Sequence, residues 1–305
     1  MTPQSLCLLI GYRANIARQL GVPNVSFNNY KGMIEHTDRK IAISGFHLFV
    51  LDNLMAGLKN RSVKKFKLEI AQRIISKLLR LVRDKAAKEA EELCALGQCV
   101  EAQVPLQLAI DLGHLPLRAL KAWMLLDGRE GVDMNKNTAY ELAEVGVRLG
   151  CHDCQGVKAV YLSWFNLPES LELALESSEK SSRYGQLALG ELYFSGRLGV
   201  VQDYDKAVAL FRLAVAQGLD MAQWRLGCMY FLGNGVAQDY TKALELYKLA
   251  AVQGYPPALF EVAESYFKGE GVTKDYVEAI RWYKRAQAAG HWFAEDRLKR
   301  LGALE

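Results

Sequence analysis

The chain has 305 residues, half of them hydrophobic and about a quarter charged, with only 7 prolines and a formal net charge of +4. That is ordinary globular composition, with length for one elongated domain or two compact ones and freedom for long helices. Six cysteines (Cys7, Cys94, Cys99, Cys151, Cys154 and Cys228) without framework spacing exclude a disulfide-stapled scaffold and predict a reduced, cytoplasmic protein.

The charge is uneven. Residues 1–100 carry 16 Lys/Arg against 8 Asp/Glu, so the rest of the chain is net acidic. Residues 1–34 contain Arg13, Arg18 and Lys31 but no acid, a bias that organelle transit peptides share. The apolar run Leu6–Ile10 lacks a basic start and is too short for a secretory signal. The longer apolar stretch 41–58 contains His47, Asp52 and Asn53, which argues against a membrane span. "GVPNVSFNNYKG" reads as a loop and "RKIAISGFHLFVLDNLMAGL" as a buried helix, and no fold is assigned to residues 1–58.

Residues 60–96 read as one long helix. Val63, Phe66, Ile70, Ile74, Leu78 and Leu81 form an apolar stripe at three- and four-residue steps, with Lys65, Arg73, Arg80 and Arg83 on the opposite arc. Between Lys59 and Lys88 stand 11 basic residues and 2 acids. Such a helix suits an acidic partner, RNA or an anionic membrane surface. The breadth of its apolar arc favours a helix packed on the following region with a solvated basic edge.

From residue 114 the chain repeats itself. "YFSGRLGVVQDYDKAVALFRLAVAQG", "YFLGNGVAQDYTKALELYKLAAVQG" and "YFKGEGVTKDYVEAIRWYKRAQAAG" succeed one another. The residues closing the second helix of each unit are Gly113, Gly150, Ser181, Gly218, Gly254 and Gly290, at steps of 37, 31, 37, 36 and 36. This predicts five helical hairpins and a terminal half-unit, "HWFAEDRLKRLGALE", whose Arg297, Lys299 and Arg300 suit a solvent-facing cap. Ala222, Leu226, Gly227 and Tyr230 mark one first helix, with small residues where the partner helix approaches. A glycine turn follows, then a second helix with Asp239 or Thr241 as cap and Ala243, Tyr247 and Ala250 in its core. One such hairpin cannot bury its apolar face, whereas stacked neighbours can. The expected fold is therefore all-α: a right-handed superhelical α-solenoid over 111–305, after an N-terminal helical extension over 1–110.

These motifs resemble the Sel-one-like repeat family, a relative of the tetratricopeptide repeat. The similarity is strong over roughly 182–294 and weaker over 114–181, where Ala122 and Ala159 replace the Gly227 type and Lys121 and Lys158 stand at the Leu226 position. Those lysines are poor core residues, so the first two units are expected to be twisted, offset or partly capped. The resemblance implies an adaptor or scaffold that binds other proteins, and it implies no activity.

The residues themselves point the same way. "CHDC" (151–154) is a CxxC without a second ligand pair or a preceding strand, and Cys154 aligns with Gly185, Ala222, Ala258 and Ala294, the small-residue slot of the first helix. It is expected to be packing rather than a metal or redox site. His36, His47, His114, His152 and His291 form no HExxH, and no nucleophile elbow or phosphate-binding loop is present. No catalytic residue, metal ligand or cofactor is assigned. Phe211, Tyr247 and Tyr283 are core by periodicity.

First helices of stacked hairpins line the concave face. Their outward positions give Tyr184, Leu187, Glu191 and Phe194 in one unit. The next unit contributes Met221, Trp224, Cys228 and Phe231, and the one after it Pro257, Phe260, Glu264 and Phe267. Phe194, Phe231 and Phe267 either fill gaps between repeats or form an aromatic stripe flanked by the carboxylates Glu191 and Glu264. The stripe would suit a peptide with apolar anchors and basic flanks. The leading expectation is a non-enzymatic protein-binding scaffold. RNA binding through the basic stretch 59–88 is the alternative, weakened by first helices that offer aromatics and Glu rather than Arg, Lys and Asn. An enzyme would need a further site within residues 1–110.

Overall fold

The computed structural model describes residues 65–128 and 132–303. The readings of residues 1–58 and of the Lys65 and Arg73 side chains lie outside the described residues. Thirteen helices and no strand occur among the described residues. By their internal contacts they form two units. Among the described residues, one holds 65–89 and Val104–His114; the other holds Ala90–Gln103 and the chain from Leu115 onward.

Helix α1 (Lys65–Ala95) and helix α2 (Cys99–Asp111) each contribute to both units. In the first unit Val82, Ala86 and Ala87 of α1 are buried, as are Leu106, Leu108, Ala109 and Ile110 of α2. Leu81, expected on the apolar stripe, is exposed. Val82 and Ala86, four residues apart and so on one side of a helix of 3.6 residues per turn, are buried instead.

Beside Ala90–Gln103, the second unit consists of hairpins and a final single helix. The pairs are α3 (Leu115–Asp127) with α4 (Lys136–Arg148), α5 (His152–Trp164) with α6 (Glu169–Glu179), α7 (Arg183–Ser195) with α8 (Tyr204–Ala216), α9 (Asp220–Leu232) with α10 (Tyr240–Val252), and α11 (Pro256–Lys268) with α12 (Tyr276–Ala288). Helix α13 (Trp292–Arg300) closes the series. Each second helix also packs on the next first helix, and α5 lies against both α3 and α7. The result is an α-solenoid with one continuous core running from Ala119 to Ala294.

Local chemistry sets the period. The second helices α8, α10 and α12 are capped by Asp203, Asp239 and Asp275, whose carboxylates accept the N–H groups of Lys206, Lys242 and Glu278 at 3.0 Å. The same three aspartates donate their own N–H to the carbonyls of Tyr193, Tyr230 and Tyr266 at 2.9 Å, fixing the connection in one geometry three times. The residues that close the second helices all have left-handed backbones, with φ between 60° and 90°. Ser181 (φ 60°) stands where glycine stands elsewhere, at a cost of roughly 1–2 kcal/mol for a side chain in that region.

Close helix approach is set by small residues. A Cβ on Gly190 would lie 2.6 Å from the Phe211 ring, and one on Gly227 would lie 2.6 Å from the Tyr247 ring. The rings of the second helices therefore rest on the bare backbone of the first. In the weaker second unit Lys158 is buried, yet its ammonium reaches Glu144 at 2.8 Å and Glu169 at 2.7 Å. Burial pulls this lysine down, and the two carboxylates outweigh it and hold it above the ordinary value. The unit accommodates the lysine by clamping it between the second helices α4 and α6.

Candidate functional site

Positions three residues after each closing residue trace the floor of the first-helix face. Tyr184 is fully buried and Met221 is 5% exposed; Pro257 is half-buried and Phe293 is 46% exposed. Trp292, beside Phe293 and stacked on it at 3.5 Å between centroids, is 76% exposed. At the equivalent positions of the first two units Pro116 is exposed and Asp153 half-buried, so the face is covered in its middle, at Tyr184 and Met221, and emerges toward α13.

The cover comes from two sources. Trp123 of α3 donates its indole N–H to Asp220 of α9 at 3.0 Å and packs on the Tyr184 ring at 5.2 Å. The corner between α1 and α2 adds Cys94, whose thiol lies 3.8 Å from the sulfur of Met124, and Cys99, whose thiol lies 4.0 Å from the carbonyl of Gln253. Burial pushes the Tyr184 phenol well above its usual range.

Several residues expected to line an open groove are placed otherwise. Tyr184, Leu187, Met221 and Glu264 are buried and present no surface to a partner. Glu264 accepts the phenol of Tyr283 at 2.6 Å and pairs with Arg297 at 2.8 Å and Lys268 at 3.0 Å, so it fastens the terminal helix α13. Burial raises its carboxyl, and these partners outweigh burial and hold it below the ordinary range. Glu191 is ion-paired with Arg225 of the next first helix; burial pushes it up, and the guanidinium offsets this only in part.

The three phenylalanines have a repeated structural task. Phe194 packs on Tyr204 at 5.7 Å, Phe231 on Tyr240 at 5.2 Å and Phe267 on Tyr276 at 5.4 Å. Each pair braces the two helices of one hairpin across the turn. In two of them a glutamine completes the brace: Gln202 and Gln238 donate to the carbonyls of Phe194 and Phe231 and to the phenols of Tyr204 and Tyr240. These rings join helices within a repeat, and Phe194 also carries the Arg225 guanidinium of the next repeat 5.8 Å from its ring.

Trp224 and Phe260 remain half-buried on the first-helix face. Trp224 meets Tyr255 edge-on at 5.8 Å and carries the Arg225 guanidinium 4.6 Å from its ring. Phe260 stacks on His291 at 4.4 Å and lies 6.2 Å from Phe293. Phe260, His291 and Phe293 form an aromatic cluster at the open end, with Trp224 on the first helix one unit back. Tyr230, expected in the core, is half-buried and accepts a hydrogen bond from Arg212 at 3.2 Å; the neighbouring Met229 takes the core position.

Phe293 and Trp123 were within reach of the same register. Extending the position of Glu191 and Glu264 back through Cys228 to the first unit gives Val160 and Trp123, each ten residues beyond its closing residue. Extending Tyr184 and Met221 forward gives Phe293. The contribution of residues 90–103 carries no such periodic signal. A separate groove of about 380 Å³, bordered by Leu171, Leu175, Val200 and Val201 and by Gln202, Asp203 and Lys206, adjoins the shortened second unit.

The CxxC is explained by the repeat. Cys151 occupies the cap position that Ser182 holds one unit later: its sulfur accepts the N–H of Cys154 at 3.4 Å, as Ser182 Oγ accepts that of Gly185. Cys154 fills the small-residue slot and is fully buried. The hydrogen bond with Cys154 holds the Cys151 thiol below its ordinary value, against the opposing effect of burial. No group of three or more His, Cys, Asp or Glu positioned to hold a metal occurs among the described residues, and no described helix is long and apolar enough to cross a membrane.

Capped hairpins stacked at a 36–37-residue period, with ring-on-glycine contacts inside each, define an α-solenoid of the tetratricopeptide-like class. More particularly, residues 183–219, 220–255 and 256–291 match the Sel1 repeat family model, and this stretch is three consecutive Sel1 repeats. Such repeats are generally protein-interaction scaffolds. An uncharacterised protein of Neisseria meningitidis serogroup B is 35% identical over 81 residues, 26% of this chain and 17% of that one, so the chain spans about a sixth of that relative. Among solved structures, a Sel1 repeat protein from Oxalobacter formigenes is 23% identical with a TM-score of 0.48, covering 71% of this chain and 90% of that one. A protective antigen of uropathogenic Escherichia coli with an SLR fold is 24% identical with a TM-score of 0.45, covering 73% and 51%.

Proposed function

We propose that the protein is a non-enzymatic adaptor that holds a partner protein or peptide at the C-terminal, open end of its first-helix face. The observation that carries this reading is the rise in exposure along equivalent positions, from buried Tyr184 to Phe293 and its neighbour Trp292. Large aromatics left accessible on a rigid helical frame are what interface anchors require, because they bury much area at little entropic cost. Trp224, Phe260 and Phe293 are the anchors. Glu191 and Glu264, committed to Arg225 and to Arg297 and Lys268, have no part in reading basic flanks.

The test is selection of a random peptide library on the full chain. Peptides rich in apolar anchors should emerge, and Phe260→Ala or Phe293→Ala should weaken them by ~2–4 kcal/mol, the range of interface hot spots. Selected peptides that bind both variants as tightly as the parent would move the site elsewhere. Binding of RNA abolished by neutralising Lys85 and Lys88, with no peptide selected, would favour the nucleic-acid reading.

A further inference from the structure

The end of α1, the turn Leu96–Gln98 and the start of α2 belong by their contacts to the repeats rather than to the remainder of the two helices. The turn is pressed on the solenoid: a Cβ on Gly97 would collide with the carbonyl of Val252, and Gly97 itself has φ 73°. Cys94 and Cys99 face a small cavity of about 30 Å³ whose other walls include Trp123, Arg183, Tyr184, Leu219, Asp220 and Gln253. Ala90, Cys99 and Ala102 are buried, whereas Leu96 is 66% exposed. One side of the corner is thus seated and the other faces out.

The seat is part of the repeat architecture. Gln253 donates to the carbonyl of Gly218 and to Gln223, as Gln217 donates to the carbonyl of Ser181 and to Gln186 one unit earlier. These bonds order the junctions between units, and the backbone carbonyl of Gln253 faces the corner. The thiol contacts of the corner, at 3.8 and 4.0 Å, are weak beside them. Fit is supplied instead by small residues: glycine at the closest approach, alanine and cysteine at the buried positions.

We propose that Ala90–Gln103 is a built-in ligand of the first-helix face. It occupies an acceptor surface for a helical corner with glycine at its turn and small apolar or thiol side chains on its inner side. A protein partner presenting such a corner competes with it, so the covered stretch of the face is a second, gated binding surface. This rests on reading the repeats as a protein-binding scaffold and adds to it the class of partner and the element that a partner must displace. An acceptor already filled in cis binds an external ligand only in proportion to the fraction that is open.

The experiment uses the full chain and a fluorescent synthetic peptide of residues 90–103. Gly97→Val places a branched side chain against the Val252 carbonyl and should lift the corner. Alkylation of Cys99, 3% exposed in the seated state, followed by peptide mapping, reports release. Release should accelerate Cys99 alkylation and tighten peptide binding at least about tenfold over the parent. Cys99→Arg, read by alkylation of Cys94, serves as the second variant should Gly97→Val lose its helical circular dichroism. A parent whose Cys99 reacts as fast as in denaturant would overturn the seating. A released variant that binds the peptide no better than the parent would overturn the acceptor surface. Library peptides that still bind through Phe260 and Phe293 in that event would leave the adaptor reading standing and remove only this inference.

Discussion

Gly227 and Tyr247 meet with no room between them: the Tyr247 ring lies where a side chain on residue 227 would begin. Tyr247 is buried, its phenol donates to the Cys228 sulfur at 3.5 Å, and burial pushes that thiol up to about 11. Gly227→Val should therefore destabilise by ~1–3 kcal/mol through overpacking, and Tyr247→Ala by ~3–5 kcal/mol through the cavity it leaves. Tyr230→Ala, at a half-buried position, should cost clearly less than Tyr247→Ala. Urea unfolding of the three variants checks the order; a Tyr230 variant as damaged as the Tyr247 one would contradict it.

Trp123→Phe tests the bond over the covered stretch. The substitution keeps the aromatic contact with Tyr184 and removes the donor to Asp220, which is itself buried. A hydrogen bond to a charged acceptor contributes ~1.5–3 kcal/mol. The variant should lose stability in that range while retaining its helical circular dichroism. An unchanged melting temperature would mean that the bond contributes nothing net.

Cys151 and Cys154 should behave as structural residues. Cys151→Ser preserves a cap acceptor and should be nearly neutral, whereas Cys151→Val removes it at a cost of ~0.5–2 kcal/mol. Cys154→Ala places in the slot the residue that Ala222 and Ala258 already supply. Stoichiometric zinc in the purified protein, lost on Cys154→Ala, would be incompatible with this assignment.

Stability should respond to pH through Glu261. Burial, and then the neighbouring Glu264 carboxylate, raise its folded pKa above the ordinary value. A raised carboxyl favours the protonated folded state, so its contribution is full below the unfolded pKa and is lost as pH rises through the folded one. Glu261→Gln should therefore be more stable than the parent at pH 8, with the difference closing toward pH 4. Glu264 acts with the opposite sign: its folded pKa is lowered, and its contribution is lost as pH falls through that value. Thermal melts of parent and Glu261→Gln at several pH values check the crossover; a constant difference between them would remove Glu261 as its source.

The hairpin series was legible because helix period, closing residue and cap each recur in register. Gly150, Gly218 and Gly254 mark the boundaries by backbone conformation, and Asp203, Asp239 and Asp275 mark the second helices by their hydrogen bonds. The surface was harder to read. Helical periodicity shows which way a side chain leaves its own helix and says nothing of what another segment lays upon it. Tyr184 and Met221 belong to first helices yet are buried, because the cover over Tyr184 comes from Trp123, two units back, and from a non-repeating corner. The rings of Phe194, Phe231 and Phe267 were likewise visible as a stripe, but their partners lie across a turn whose geometry the spacing alone does not specify.

Arrays of stacked hairpins usually fray and melt from their ends, because each unit touches only its neighbours. Here Trp123 and Asp220 join positions 97 residues apart, and Cys99 and Gln253 join positions 154 apart. The first unit cannot peel away without breaking its hold on the fourth, so these hairpins are expected to unfold together in a single cooperative transition. The same ties carry a kinetic consequence. They form only after long loops have closed, so the chain should fold more slowly than a solenoid built from nearest-neighbour contacts alone.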